Sequence, residues 1–200
     1  VGYKLKYIIV LLSLLSYQTV AQQGNVWVFG DSAYLDINQP NQSLRSGGKF
    51  YGSTASISDD SGDLLFYAVS TVNSLGLNVG YIYNKHNQIM INGNGIKSSG
   101  GFHKTLIIPL PDHDSLNYLF HTSILYNNWG VYYSLINPLR NGFGEVIQKN
   151  ISLQTNVYPT DVLSAVKHGN GRDWWIFWRE YDGFGLDTTP YIQMNNTYYR

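Results

Sequence analysis

The sequence contains no cysteine, which removes disulfides, thiolate metal sites and cysteine nucleophiles together. Charge is scarce as well: charged side chains make up 13 % of the 200 residues, and 13 basic groups balance 13 acidic ones. Such a chain has no net field to draw in nucleic acid or an anionic bilayer. No stretch reaches the roughly twenty apolar residues needed to span a membrane. The five histidines, His86, His103, His113, His121 and His168, show neither H-x-x-x-H nor H-E-x-x-H spacing, so zinc has no support and no metal or cofactor is expected. No G-x-S-x-G elbow nominates a nucleophilic serine. Glu145 and Glu180 are the only glutamates, and the aspartates cluster in turns, which leaves no pair of opposed carboxylates for glycoside hydrolysis.

What is present is aromatic and polar without charge. Tyrosine alone occupies 17 positions, and asparagine is frequent throughout. This composition suits β structure at a cell surface better than a cytosolic helical enzyme. The first residues read as an export signal: Lys4 and Lys6 precede the apolar run "YIIVLLSLLS", and "TVA" prepares a cut after Ala21. Residues 1–21 are therefore expected to be a signal peptide and 22–200 the mature chain, with a membrane anchor as the competing reading.

Beyond the signal the chain repeats itself. "TASISDDSGDLLFYAV", "KTLIIPLPDHDSLNYLFHTS" and "LSAVKHGNGRDWWIFWRE", starting at residues 54, 104 and 163, each join an apolar strand, a polar turn and an aromatic strand, the pattern of a β-hairpin. A third strand follows each hairpin ("VGYIYNK", "WGVYYSL", "PYIQMNN"), and a fourth is expected near "QIMING" and "GEVIQKNISL". In "DWWIFWRE", alternation puts Trp174, Ile176 and Trp178 on one side of a strand and Trp175, Phe177 and Arg179 on the other. Both sides are mostly apolar, so either both are covered by protein or one is an aromatic platform for a ligand. Short strands recurring at this longer period predict an all-β fold, a partial β-propeller of about three to four antiparallel blades forming the front of a larger closed ring. A β-sandwich is the competing architecture. The early strand "NVWVFG" is expected to be donated to the last blade, with its partners beyond Arg200.

These segments carry a resemblance. "NVWVFGDSAYLDI", "ISDDSGDLLFY", "YNKHNQIMINGNG", "LIIPLPD", "GVYYSLINPLRNGFGEVIQKNISL" and "LSAVKHGNGRDWWI", in this order and spacing, resemble the amino-terminal propeller of large Bacteroidota surface proteins that end in a gliding-motility-associated or type IX secretion sorting domain. The resemblance implies export, display or release at the cell surface, and engagement of the secretion machinery by a carboxyl-terminal domain absent from these residues. It brings no catalytic constellation. The chain departs from the pattern at "NSLGLNVG", which lengthens one loop, and at His121, which stands where a small polar residue is usual.

Two sets of residues follow as candidates. Asp60 and Gly62 in "SISDDSGDLLF" resemble an aspartate-box turn, with a structural role for the carboxylate; calcium held by Asp59, Asp60 and Asp63 is the alternative. The loops after each second strand hold Asn73, Tyr126, Asn127, Asn128, Trp129, Tyr181, Asp182, Phe184 and Asp187. Aromatic faces mixed with amides and carboxylates suit a rim that contacts glycan or protein. The expected function is a non-enzymatic recognition or scaffold module linked to adhesion or gliding. The alternative is a propeller-type carbohydrate-active enzyme, sialidase- or lyase-like, whose catalytic residues lie outside this chain.

Overall fold

The computed structural model describes residues 24–29, 33–39, 44–45, 52–72, 78–99, 104–124, 129–182 and 193–194. The signal segment, residues 1–21, lies outside them. Within them the chain is all-β. Strands β1 (Val26–Val28), β2 (Ala33–Asp36) and β3 (Leu44–Arg45) form sheet A; β4 (Thr54–Ser58), β5 (Leu64–Val72) and β6 (Asn78–Asn84) form sheet B. Sheet C contains β7 (Thr105–Pro109), β8 (Asn117–Ser123), β9 (Gly130–Asn137) and β10 (Glu145–Thr155), and sheet D contains β11 (Pro159–Lys167), β12 (Trp174–Asp182) and β13 (Gln193–Met194). Every pairing is antiparallel between strands consecutive in the chain. Each sheet is thus a meander built from local hairpins, and no sheet among the described residues closes on itself.

The sheets pack in series through their first strands: β1 lies against β4, β4 against β7, and β7 against β11. Hydroxyl groups join these strands where no ladder does. Thr54 Oγ1 donates to the Val28 carbonyl (2.8 Å) and Ser56 Oγ to that of Val26 (2.7 Å). One step further on, Ser53 Oγ accepts the N–H groups of Lys104 (3.0 Å) and Thr105 (3.1 Å) and lies 2.7 Å from Thr105 Oγ1. Small hydroxylic side chains suit these joints because they approach a neighbouring backbone closely and satisfy its polar groups at the same time.

Serial packing explains why the inner strands are apolar on both faces. On β5, Tyr67 and Val69 join Val26 and Val28 of sheet A, whereas Phe66 and Ala68 join Leu119 and Ile136 of sheet C. β12 behaves differently on its two sides. Trp178 and Ile176 pack with Leu163 and Val131 between sheets C and D, and Trp178 Nε1 donates to Gln154 Oε1 at 3.1 Å. Trp175 and Phe177, on the other face, are half-buried beside the exposed Val166. The covered reading therefore holds for one side of the tryptophan run, and the second side is only partly shielded. At the opposite end of the series, sheet A turns Trp27, Phe29, Leu35 and Ile37 outward, with Trp27 51 % exposed.

Two expectations are corrected. β1 hydrogen-bonds to β2, with Trp27 opposite Leu35, so "NVWVFG" opens its own sheet and finds its partner within eight residues instead of beyond Arg200. The fourth strand near "QIMING" is not a strand: Ile89, Ile91 and Ile96 make isolated bridges to Tyr83, Glu145 and Gly80. Here Asn92 and Gly95 take positive φ values of 59° and 65°, which interrupts any extended run. Side-chain amides stitch this segment to sheet C instead, Asn92 Nδ2 donating to the Val146 carbonyl (3.0 Å) and Asn150 Nδ2 to that of Gly95 (3.0 Å). The second expected fourth strand is present as β10, a long edge strand with three register shifts against β9 and Asn150 at φ 59°.

Candidate functional site

The hairpin turns of sheets B, C and D lie on one end of the series, and asparagine or aspartate side chains fix their geometry. In the β4–β5 turn, Asp59 Oδ1 accepts the N–H groups of Ser61 (2.9 Å) and Asp63 (3.0 Å), while Gly62 takes φ 88°. Asp59, one residue before the expected Asp60, is therefore a bracing acceptor of this turn, and Asp60 sits exposed beside it. Reaching N–H groups two and four residues ahead requires the carboxylate at the first turn position. Asn84 repeats the device after β6, accepting from His86 and Gln88 at 3.0 Å each.

The β7–β8 turn places Asp112 in the left-handed region at φ 61° and exposes Asp112, His113 and Asp114. In the β11–β12 turn, Asn170 Oδ1 accepts from Arg172 and Asp173, each at 3.0 Å, and His168 Nδ1 accepts the Asn170 N–H at 3.2 Å. His168 thus satisfies backbone at the turn. Arg172 donates through Nε to Asp173 (2.8 Å) and reaches across to Asp112 (3.4 Å). Hydrogen bonding to Arg172 holds the Asp173 carboxyl below the usual carboxylate range and raises the guanidinium.

Between the turns of sheets B and C opens a pocket of about 350 Å³. Its apolar wall includes Ile57, Leu65, Leu116 and Pro138; Asp59, Asp60, Asp112, His113 and Asp114 line it too, and among the described residues no lysine or arginine does. Ser58 completes the wall. Its side chain is 0 % exposed and its hydroxyl has no hydrogen-bond partner among the described residues, a condition that costs about 1–3 kcal/mol unless something fills it. Two other cavities differ in chemistry. A groove of about 500 Å³ between β1 and β4 is lined by residues such as Trp27, Phe29 and Thr54 and, among the described residues, by no ionisable side chain. A cleft of about 170 Å³ between sheets C and D carries Tyr118, Phe120 and Trp174 with Asp173.

Away from these surfaces, His121 is fully buried, with Nδ1 2.6 Å from the Lys97 carbonyl and Nε2 3.0 Å from Ser134 Oγ. Burial lowers its pKa to about 4, against the bond to Lys97 and with the Lys97 charge. Ser134 is equally buried and also accepts the Asn150 N–H at 3.1 Å. A serine beside a histidine that no substrate can reach is a structural pair, and the departure at His121 concerns the interior of sheet C and not its surface.

The loop rim singled out in the sequence follows the ends of β5, β8 and β12. Asn73, Tyr126, Asn127, Asn128, Phe184 and Asp187 lie outside the described residues. Asp182 ends β12 opposite Gln193, and Tyr181 pairs with Met194. Trp129 is half-buried, its ring edge-on to Tyr158 at 5.9 Å, and its carbonyl accepts the Asn156 N–H at 3.2 Å. No three histidine, aspartate or glutamate side chains among the described residues converge on a metal position. The acid-lined pocket was missed because its aspartates were read as turn formers one hairpin at a time; their density in "DDSGD" and "PDHDS" was the available signal. No protein-family model, curated protein or solved structure gives a significant match to the chain.

Proposed function

We propose that the chain is the amino-terminal part of a β-propeller, a non-enzymatic recognition and scaffold module of a secreted or cell-surface protein that serves adhesion or gliding. The serial packing of four meander sheets through their first strands is the observation that carries this reading, since blades about an axis are arranged so. The outward apolar faces of sheets A and D, with Trp27 and Phe29 on one and Val166 and Trp175 on the other, are the faces that further blades would cover. A ring of this kind leaves turns and loops on its two ends free for contact, and the acid-lined pocket lies on one of them.

The glutamates support a binding role over a hydrolytic one. Glu145 pairs with Arg140 at 3.0 Å and Glu180 accepts from Gln154 Nε2 at 2.7 Å, so both are engaged in holding strands. The test is an array of surface glycans and proteins probed with the protein, run beside a polysaccharide-turnover assay. Binding without turnover is expected. A silent array together with turnover would replace this reading by a carbohydrate-active enzyme.

A further inference from the structure

We propose that Asn94 is a site of self-modification, at which the Gly95 backbone nitrogen attacks the Asn94 side-chain amide and Lys149 promotes the attack, leaving an aspartyl or isoaspartyl carboxylate. The reaction goes beyond the recognition reading and does not depend on it. Asn–Gly pairs are suited to it because glycine has no Cβ to hinder the approach of its nitrogen to the preceding side chain. Four such pairs occur, Asn92–Gly93, Asn94–Gly95, Asn141–Gly142 and Asn170–Gly171, so the dipeptide alone does not rank them.

The fold ranks them by what it ties down. The N–H of Gly93 donates to the Met90 carbonyl (2.8 Å), that of Gly142 to Leu139 (3.3 Å) and that of Gly171 to His168 (2.9 Å). In the same three pairs the amide is engaged too. Asn92 Nδ2 donates to the Val146 carbonyl (3.0 Å), Asn141 Nδ2 to Glu145 Oε2 (3.4 Å) and Asn170 Nδ2 to Asp173 Oδ2 (2.6 Å). At Asn94–Gly95 both residues are exposed, and among the described residues neither the Asn94 side chain nor the Gly95 N–H has a hydrogen-bond partner.

Lys149 is the second, independent observation: its Nζ donates to the Asn94 carbonyl at 2.9 Å. That carbonyl belongs to the same peptide unit as the Gly95 nitrogen. When hydroxide from solvent removes the Gly95 proton, resonance places the negative charge largely on the Asn94 oxygen, where an ammonium donor is worth more than it is against the neutral amide. The nitrogen then forms a bond to Asn94 Cγ, the Cγ–Nδ2 bond breaks, and ammonia leaves with a proton taken from water. Water opens the resulting cyclic imide at either carbonyl, so the net change is addition of water and loss of ammonia. The new carboxylate gives a negative charge to a chain whose charges balance. The isoaspartyl product also inserts an extra main-chain carbon between Met90 and Ile96, both buried in the core shared by sheets B and C.

The test is incubation of the protein for weeks at pH 7.5, with peptide mapping by mass spectrometry and an isoaspartate assay at each Asn–Gly pair. Asn94 is expected to convert about tenfold or more faster than the other three, which must open locally before they react. In concentrated guanidinium chloride the four rates should converge. Lys149→Met should slow Asn94 about three- to tenfold in the native protein and make no difference once the chain is unfolded. The other three pairs are the internal gauge for any loosening of the fold by the substitution, and the Asn94 rate is read relative to them. Faster conversion at another pair in the native protein, a ranking that persists in denaturant, or a relative Asn94 rate unmoved by Lys149→Met would each overturn the proposal.

Discussion

Lowering the pH should unlock sheet C through one side chain. His121 is neutral in the native state because burial lowers its pKa to about 4, whereas the unfolded chain binds the same proton near the ordinary 6.5. Between these values the unfolded state holds more protons, so native stability is intact above about 6.5 and is lost progressively as the pH falls towards 4. At about 1.4 kcal/mol per pH unit, the loss across that window amounts to about 3 kcal/mol, a large share of the roughly 5–15 kcal/mol that a domain of this kind commands. The structural cost has a clear origin. Protonation forces a second N–H onto a ring held between the Lys97 carbonyl and Ser134 Oγ and fully buried from solvent. Urea unfolding followed by tryptophan fluorescence at pH 7.5 and pH 4.5 reads the effect, with His121→Gln as the comparison. The variant is expected to be less stable at pH 7.5 but to lose far less between the two pH values. The exposed Asp173, with its lowered carboxyl pKa, sheds its contribution only at still lower pH and does not confuse the window. Equal acid sensitivity in wild type and variant would refute the reasoning.

Three further substitutions separate the roles assigned above, each read as a shift in urea midpoint. Asp59→Ala removes the acceptor of two turn N–H groups and should cost about 1 kcal/mol, whereas Asp60→Ala should stay within about 0.5 kcal/mol; the reverse order would return the bracing role to Asp60. Gly130→Ala should cost about 2 kcal/mol or more, because Gly130 has φ 152° and a Cβ there would collide with the Gln154 carbonyl. A neutral outcome would mean that β9 and β10 can part without penalty. Trp178→Ala should cost about 3–5 kcal/mol and Trp175→Ala less than half of that, since only the first is buried between sheets C and D; equal losses would put a cover on the outer face of sheet D.

Much of the strand order was legible because hairpins are local. "ISDDSGDLLFY" encodes apolar strand, turn and apolar strand within a dozen residues, and the structure follows it. Where the sequence misled, the cause was a device with no periodic signature. Leu44–Arg45 is a two-residue strand inside a polar stretch, too short to alternate, so the sequence gives no sign of the outer strand of sheet A. The segment at 89–96 has strand-like composition but is bent by left-handed Asn92 and Gly95. His121 could not be placed inside sheet C from the sequence, because a lone histidine in a strand gives no sign of which face is buried. The pocket was the least legible feature of all. Asp59 and Asp112 are more than fifty positions apart, and only the packing of β4 on β7 brings their turns together.

The frequency of asparagine acquires a physical reason from the same geometry. Asn87, Asn92, Asn141, Asn150 and Asn156 all adopt positive φ near 60°, a conformation that asparagine tolerates better than most side chains. Several of them then use the freed amide to bond a neighbouring segment, as Asn92 and Asn150 do.

β10 is the border strand of sheet C, its first half met by residues 91–95, and its irregular register has a consequence for the remainder. A straight border would present evenly spaced donors and acceptors on which a neighbouring molecule could extend the sheet indefinitely. Three register shifts and a left-handed asparagine break that spacing, so two molecules meeting along this border cannot zip together. The exposed Ile151 and Leu153 can then sit there without seeding fibres.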